Sequence, residues 1–208
     1  MRNPSASTVR RLSHYLQFLD ECERNGLATV SSDALAERGG ASSAQARKDL
    51  SFFGSFGRRG IGYSVPLLAA RLREILGLAR HYRVVLVGAG RIGSALAAYP
   101  GFRARGFDVV AVYDADPARI GSTVDALVVR SSERLEADLA AEPADIAVIG
   151  TPADAAQGIA DRLVRCGVLA LLNFAPVTLR VPRHVAVTNV NMALELEALS
   201  FALNHRPR

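Results

Sequence analysis

Apolar residues recur at helical spacing from the start of the chain: Val9, Leu12, Leu16 and Leu19 place one stripe on a helix predicted to end near Asn25-Gly26. A short second helix is expected after Ser31-Ser32-Asp33, and a third opens at Ser42-Ser43-Ala44-Gln45, a capping-box pattern, and is predicted to stop at Gly54. On that third helix Ala46, Leu50 and Phe53 share a face, which leaves Arg47, Lys48 and Ser51 pointing elsewhere. The next run, Ser55-Phe56-Gly57-Arg58-Arg59-Gly60-Ile61-Gly62-Tyr63, mixes glycines, a basic pair and strand formers, as a hairpin wing does. Pro66 fits the first turn of a fourth helix with Leu68, Leu72, Ile75 and Leu76 on one side, and Gly77 to Tyr82 reads as a link. Three helices and then a wing is the winged helix-turn-helix order.

Beyond the link the period changes. Arg83 to Val87 is a β-branched strand, followed at once by Gly88-Ala89-Gly90-Arg91-Ile92-Gly93 and a helical run through Ala98. Further strands are predicted at Val109–Tyr113, Ile146–Ile149, Val168–Leu172 and Val185–Val187, with a helix from about Pro152 to Cys166. This alternation predicts a parallel, right-handed α/β sheet of Rossmann type. A last helix, from about Asn191 to Asn204, is apolar on more than one side through Met192, Leu194, Leu196, Leu199 and Leu203. The expected fold is thus α/β, with a winged-helix domain over 1–80, a dinucleotide-binding domain over 81–190 and a terminal helix in 191–208.

Composition adds a direction to this division. Of the 208 residues half are apolar, enough for two cores, and the formal charge of +5 lies wholly in residues 1–80, where 12 Arg and Lys face 7 Asp and Glu. That asymmetry points to an anionic partner for the first domain, although an arginine-rich solvated surface gives the same sum. Cys22 and Cys166 form neither a CxxC pair nor a Cys/His cluster, which argues against a disulfide framework and a metal site. No apolar run has the length of a membrane helix, and Met1-Arg2-Asn3-Pro4 lacks a signal stretch, so a cytoplasmic address is expected.

Two constellations carry chemistry. In the glycine loop Gly88 permits the turn, Gly90 lets amides approach a pyrophosphate and Gly93 lets the helix pack close to the strand, with Ala89, Arg91 and Ile92 between them. Asp114, 24 residues after Gly90 at the end of the second strand, stands where a carboxylate accepts ribose hydroxyls, which favours NAD(H); Arg119 nearby weakens that preference. Ligands sit at the carboxyl ends of such strands, which nominates the loops at Gly150-Thr151-Pro152 and Asn173-Phe174-Ala175-Pro176. In the first domain the capped helix, with Ser43, Gln45, Arg47, Lys48 and Ser51, suits a DNA major groove, and either Arg58 or Arg59, flanked by Gly60 and Tyr63, suits a minor groove. A dehydrogenase is the competing reading, but His14, His81, His184 and His205 fall at helix, linker or terminal positions, and no catalytic residue is nominated. A Rossmann unit holding coenzyme A or another nucleotide, or serving only for dimerisation, is the third.

The run from Arg47 to Tyr63 resembles the DNA-binding signature of the Rex redox-sensing repressors, and Val87 to Leu96, Tyr99-Pro100-Gly101-Phe102 and Leu172 to Pro176 resemble that family in the same order. The resemblance implies a homodimer that exchanges its C-terminal helix between subunits, binds a palindromic double-stranded operator when free or NAD⁺-bound, and is released by NADH. It implies that Tyr99, Asn191 and Met192 lie at the cofactor, that Arg11, Tyr99 and Asn191 form an interdomain switch, and that Arg59 is the minor-groove arginine. Where the family usually has Asp followed by an aromatic residue, this chain has Asn191-Met192, from which weakened discrimination between NAD⁺ and NADH is expected.

Overall fold

The computed structural model describes residues 4–58 and 61–205. The chain divides into two compact units, Met1–Arg80 and His81–Arg208, each with its own core.

In the first unit α1 (Ala6–Arg24), α2 (Ser32–Gly39), α3 (Ser43–Ser51) and α4 (Val65–Ile75) surround a core that includes Leu12, Tyr15, Leu16, Leu19, Leu35, Leu50, Leu68 and Leu72. Ser5, Ser31 and Ser42 cap the first three helices by accepting the N–H of Thr8, Ala34 and Gln45, a contact worth about 1 kcal/mol each. Val9 does not join the stripe: it is exposed on the first turn, and the buried face begins only at Leu12 and runs on through Tyr15 to Cys22. Nor does Gly54 end the third helix, which stops at Ser51 with Phe52 as its cap; Gly54, at φ +134°, belongs to the turn beyond. The strands β1 (Thr29–Val30), β2 (Gly57–Arg58) and β3 (Gly62–Ser64) form an antiparallel sheet in the order β1-β3-β2, and its β2–β3 hairpin is the wing. At Gly62 the positive φ of +90° and a collision of any Cβ with the Val30 carbonyl oxygen exclude other residues.

The second unit holds a seven-stranded sheet. Its strands are β4 (Tyr82–Val87), β5 (Phe107–Asp114), β6 (Thr123–Val124), β7 (Leu127–Ser131), β8 (Ile146–Ile149), β9 (Ala170–Asn173) and β10 (Ala186–Asn189), in the order β10-β9-β8-β4-β5-β7-β6. Tyr82 therefore belongs to a strand and not to the link, and Val168 is buried just before β9. The sheet is parallel except at one edge, where β6 pairs antiparallel with β7. Asp125 turns this short hairpin at φ +54°, and the hairpin carries no glycine pair to announce it.

Alternation along β4 divides the packing: Val85 and Val87 face a core with α7 (Leu135–Ala141) and α8 (Ala153–Arg165), while Val84 and Leu86 face α5 (Arg91–Ala97). The second face is only partly covered. Val84, Ile146, Val148, Ala170 and Leu172 line an apolar trough there, beside Tyr99, the N-cap of α6 (Pro100–Arg103), and Phe102 within that helix. The last helix, α9 (Met192–Asn204), buries none of its residues, and Met192, Leu194, Leu196, Leu199, Phe201 and Leu203 are all exposed. Among the described residues no helix is long and apolar enough to cross a membrane.

Candidate functional site

In the second unit the glycine loop joins β4 to α5, whose N-cap is Gly90. Gly88 has φ +105°, and a Cβ there would stand 2.7 Å from the Gly150 carbonyl. A Cβ on Gly93 would collide with the Gly88 carbonyl oxygen, so this glycine lets α5 approach the strand. The same test at Gly90 finds open space bounded by Arg119 Nη1 at 3.7 Å, a cradle a side chain would fill.

One residue of this loop, Ala89, is held on both sides. Ala89 N–H donates to Asp114 Oδ2 at 2.6 Å, and its carbonyl accepts from Arg119 Nη1 at 2.6 Å and Ser94 Oγ at 3.0 Å. Asp114, Gly88, Ala89 and Gly90 therefore meet at the ends of β4 and β5, and Thr151 joins them from the end of β8: a Cβ on Gly88 would stand 2.9 Å from its nitrogen. Thr151 Oγ1 is buried and has no hydrogen-bond partner. A row of amides at a helix N-terminus, an open cradle, a carboxylate and an orphaned hydroxyl fit a dinucleotide, whose phosphates need donors and whose ribose offers hydroxyls. Arg91 and Ile92 are exposed on the first turn of α5, and Pro152 caps α8.

Asn173 departs from the expected contacting role. It is fully buried, with Nδ2 donating to the carbonyls of Ala175 and Val177 and to Asn189 Oδ1, and Oδ1 accepting from Ala175 N–H. Its amide shapes the loop that carries Phe174 and Ala175, and its NH₂ group is wholly committed there. Asn191 is the N-cap of α9 and accepts from Ala193 N–H at 3.0 Å, while Tyr99 and Met192 are exposed.

In the first unit Arg47, Lys48 and Ser51 are exposed on α3, Ser43 is half-buried in its first turn, and a groove runs between α3 and the wing past Ser32, Gly54, Ile61 and Tyr63. Arg47 is not free, since its Nη1 donates to Ser32 Oγ at 2.9 Å. The capping box closes on one side only: Ser42 Oγ accepts from Gln45 N–H, but the Gln45 amide turns to Asp49, where Nε2 donates to Oδ1 at 2.8 Å. Tyr63 is in β3 of the wing itself, half-buried, where burial pushes its hydroxyl pKa up, and a Cβ on Gly57 would stand 2.8 Å from its ring. Arg58 is in β2, and Arg59 and Gly60 lie outside the described residues.

Arg11 is committed within its own unit. Its Nε and Nη2 donate to Asp49 Oδ2 and Oδ1 at 2.6 and 2.7 Å, and Tyr15 Oη donates to Oδ2 at 3.2 Å. Asp49 is 3% exposed, and periodicity gave no sign of it because a charged residue on the buried face of a short helix reads as polar surface. Burial by itself would raise its pKa, but Arg11, then Gln45 and Tyr15, outweigh that and hold the carboxyl below the ordinary range. Burial, and next the neighbouring carboxylate, push the Tyr15 hydroxyl up to about 12. Among the described residues no group of three or more His, Cys, Asp or Glu could hold a metal ion.

Comparison with known proteins ties the two sites together. A family of putative DNA-binding protein N-termini matches residues 4–51, and the CoA binding domain family matches residues 79–177. The redox-sensing transcriptional repressor Rex of Pelotomaculum thermopropionicum is 48% identical over 95% of this chain and 92% of its own, and that of Streptomyces coelicolor is 45% identical over 94% and 76%. The chain belongs to the Rex family of redox-sensing transcriptional repressors. A crystal structure of the Rex-family repressor RSP in complex with β-NAD⁺ and operator DNA matches with a TM-score of 0.91 at 37% identity, over 98% of this chain and 94% of that one. The same repressor with β-NADH gives 0.89 at 36% identity, over 98% and 96%. As a Rex-family member this chain is a transcriptional repressor and not a dehydrogenase.

Proposed function

We propose that this Rex-family repressor binds a palindromic operator as a homodimer and leaves it when NADH occupies the second unit. The observation that carries the reading is the pairing of an open Gly90 cradle and a ribose-ready Asp114 with an exposed Arg47-Lys48-Ser51 face on a capped helix, in one chain. Ser43, Arg47, Lys48 and Ser51 would meet the major groove, and Arg58 or Arg59, with Gly60, the minor groove. With Gly88, Ala89 and Gly93 shaping the turn, the amides from Gly90 into the start of α5 would hold the pyrophosphate, Asp114 the adenosine ribose, and Thr151, Pro152, Phe174 and Ala175 the nicotinamide end. When bound, the cofactor supplies a ring that is cationic when oxidised and neutral when reduced. Asn191, without charge, senses that difference only through hydrogen bonds, which weakens discrimination between the two forms. Arg11, Tyr99 and Asn191 would form an interdomain switch, which requires Arg11 to give up its pairing with Asp49, and a repressor of this kind works in the cytoplasm.

The dimer accounts for two bare surfaces at once. An α9 with exposed apolar residues on more than one side and an apolar trough on the sheet are each unstable in water, and exchange of α9 between subunits covers both. Isothermal titration with NADH, NAD⁺, NADPH and coenzyme A tests the cofactor assignment. NADH is expected to bind most tightly, with NADPH weakened by the Asp114 carboxylate. Preferential binding of coenzyme A would overturn the assignment.

A further inference from the structure

An ionised carboxylate offers about four lone-pair positions and no donor. At Asp49 all four are taken: Arg11 and Gln45 fill Oδ1, and Arg11 and Tyr15 fill Oδ2. The carboxyl lies on the buried side of α3, one turn after Gln45, and α1 supplies both Arg11 and Tyr15. A buried ion pair of this kind is seldom more stable than an apolar replacement of equal volume, so its consequence is sought in orientation.

That consequence is chemical. Which way a glutamine amide points is ordinarily open to either choice, but Asp49 can only accept, so Gln45 must present its NH₂ group inward. Its Oε1 is then turned away from the carboxylate. Gln45 is half-buried and lines, with Ser42 and Lys48, a groove beside α3. A recognition helix meets base edges with its N-terminal residues, and Gln45 is the third residue of α3.

We propose that Asp49 fixes the Gln45 amide with its oxygen outward, so that Gln45 selects one base per half-site that offers an exocyclic amino group to the major groove, namely adenine or cytosine. The inference rests on the reading of α3 as the helix that enters that groove. Gln45 is the specificity-determining residue, and Asp49 is a positioning residue that acts through it.

The test is selection of binding sites from a randomised duplex pool by the full-length protein, followed by anisotropy titration of single-base variants. The wild type is expected to show, at one position of each half-site, at least roughly fivefold preference for adenine or cytosine. Gln45→Met, which keeps length and loses both polar atoms, is expected to erase the preference there alone. Asp49→Asn combined with Tyr15→Phe introduces an NH₂ group that must find an acceptor; Arg11 has none and the Tyr15 hydroxyl is removed, so Gln45 turns round and the preference moves toward guanine or thymine. A purely structural role for Asp49 would lower affinity for all sequences alike. The proposal is overturned if Gln45→Met keeps the wild-type preference at every position, or if a folded variant carrying Asp49→Asn and Tyr15→Phe keeps adenine or cytosine. Selection of no sequence at all by the wild type would overturn the DNA-reading assignment and the inference with it, whereas a selected site lacking the preference would overturn the inference alone.

Discussion

In the first unit the residue that ties the functional helix to its scaffold is a charged carboxylate, Asp49, saturated by Arg11, Tyr15 and Gln45. In the second unit the comparable residue is a neutral amide, Asn173, which bonds two loop carbonyls and Asn189 from the end of β9. Both are buried and both are hydrogen-bonded through every side-chain polar atom, but they fail in different ways. A carboxylate lock opens to acid or to competition for its cation; an amide lock responds to neither. The reading unit is thus held by something that charge can disturb, and the sensor loop by something it cannot.

Removing the cation alone is the harshest way to break this contrast. Arg11→Met strands a buried carboxylate and is expected to cost the first unit about 4 kcal/mol, while Arg11→Met with Asp49→Leu recovers most of it, as urea titrations of both variants would show. Gly93→Ala drives a methyl group into the Gly88 carbonyl; about 3 kcal/mol of strain is expected in the second unit, with loss of measurable NADH binding by calorimetry and little change in the first. Asn173→Ala leaves the Asn189 and loop partners unmatched and is expected to cost about 2 kcal/mol, the same at pH 7 and pH 4.5.

Acid sharpens the comparison further. The folded Asp49 carboxyl sits below its ordinary value, so its contribution is complete above a pH of about 4 and fades as pH falls through the folded value. The melting temperature of the first unit should therefore fall faster between pH 5 and pH 2.5 in the wild type than in Arg11→Met with Asp49→Leu. Glu136 in the second unit is drawn to about 2 by Arg162, so its contribution fades between about 4.5 and 2, but it is half-exposed and weighs little. The smallest effect expected is from Asn191→Asp: it keeps the cap on α9 and adds a charge at the helix N-terminus, so stability changes by less than about 1 kcal/mol while the ratio of NAD⁺ to NADH dissociation constants shifts toward NAD⁺.

What could be read in the sequence follows the same division. Serine caps, helical stripes and the β-Gly-x-Gly-x-x-Gly-α order are local signals, and they located α1 to α5, the wing and β4 to within a few residues. Asp114 was legible because its distance from the glycines is set by one βαβ unit. Asp49 and the burial of Asn173 were not, because each depends on partners 38 and 16 residues away that no periodicity links to them. The β6–β7 hairpin escaped for a related reason: two-residue strands carry too few positions to show alternation. The apolar residues on more than one side of α9 were visible, but a single chain does not show what covers them.

The most direct test of redox-controlled repression is anisotropy of a fluorescent operator duplex, chosen by selection, held by the full-length protein while NADH is added at fixed salt. Release of the DNA at NADH concentrations near its dissociation constant, with NAD⁺ releasing little at the same concentrations, is the expected result. An operator complex that stays intact when calorimetry shows the site filled with NADH would contradict it.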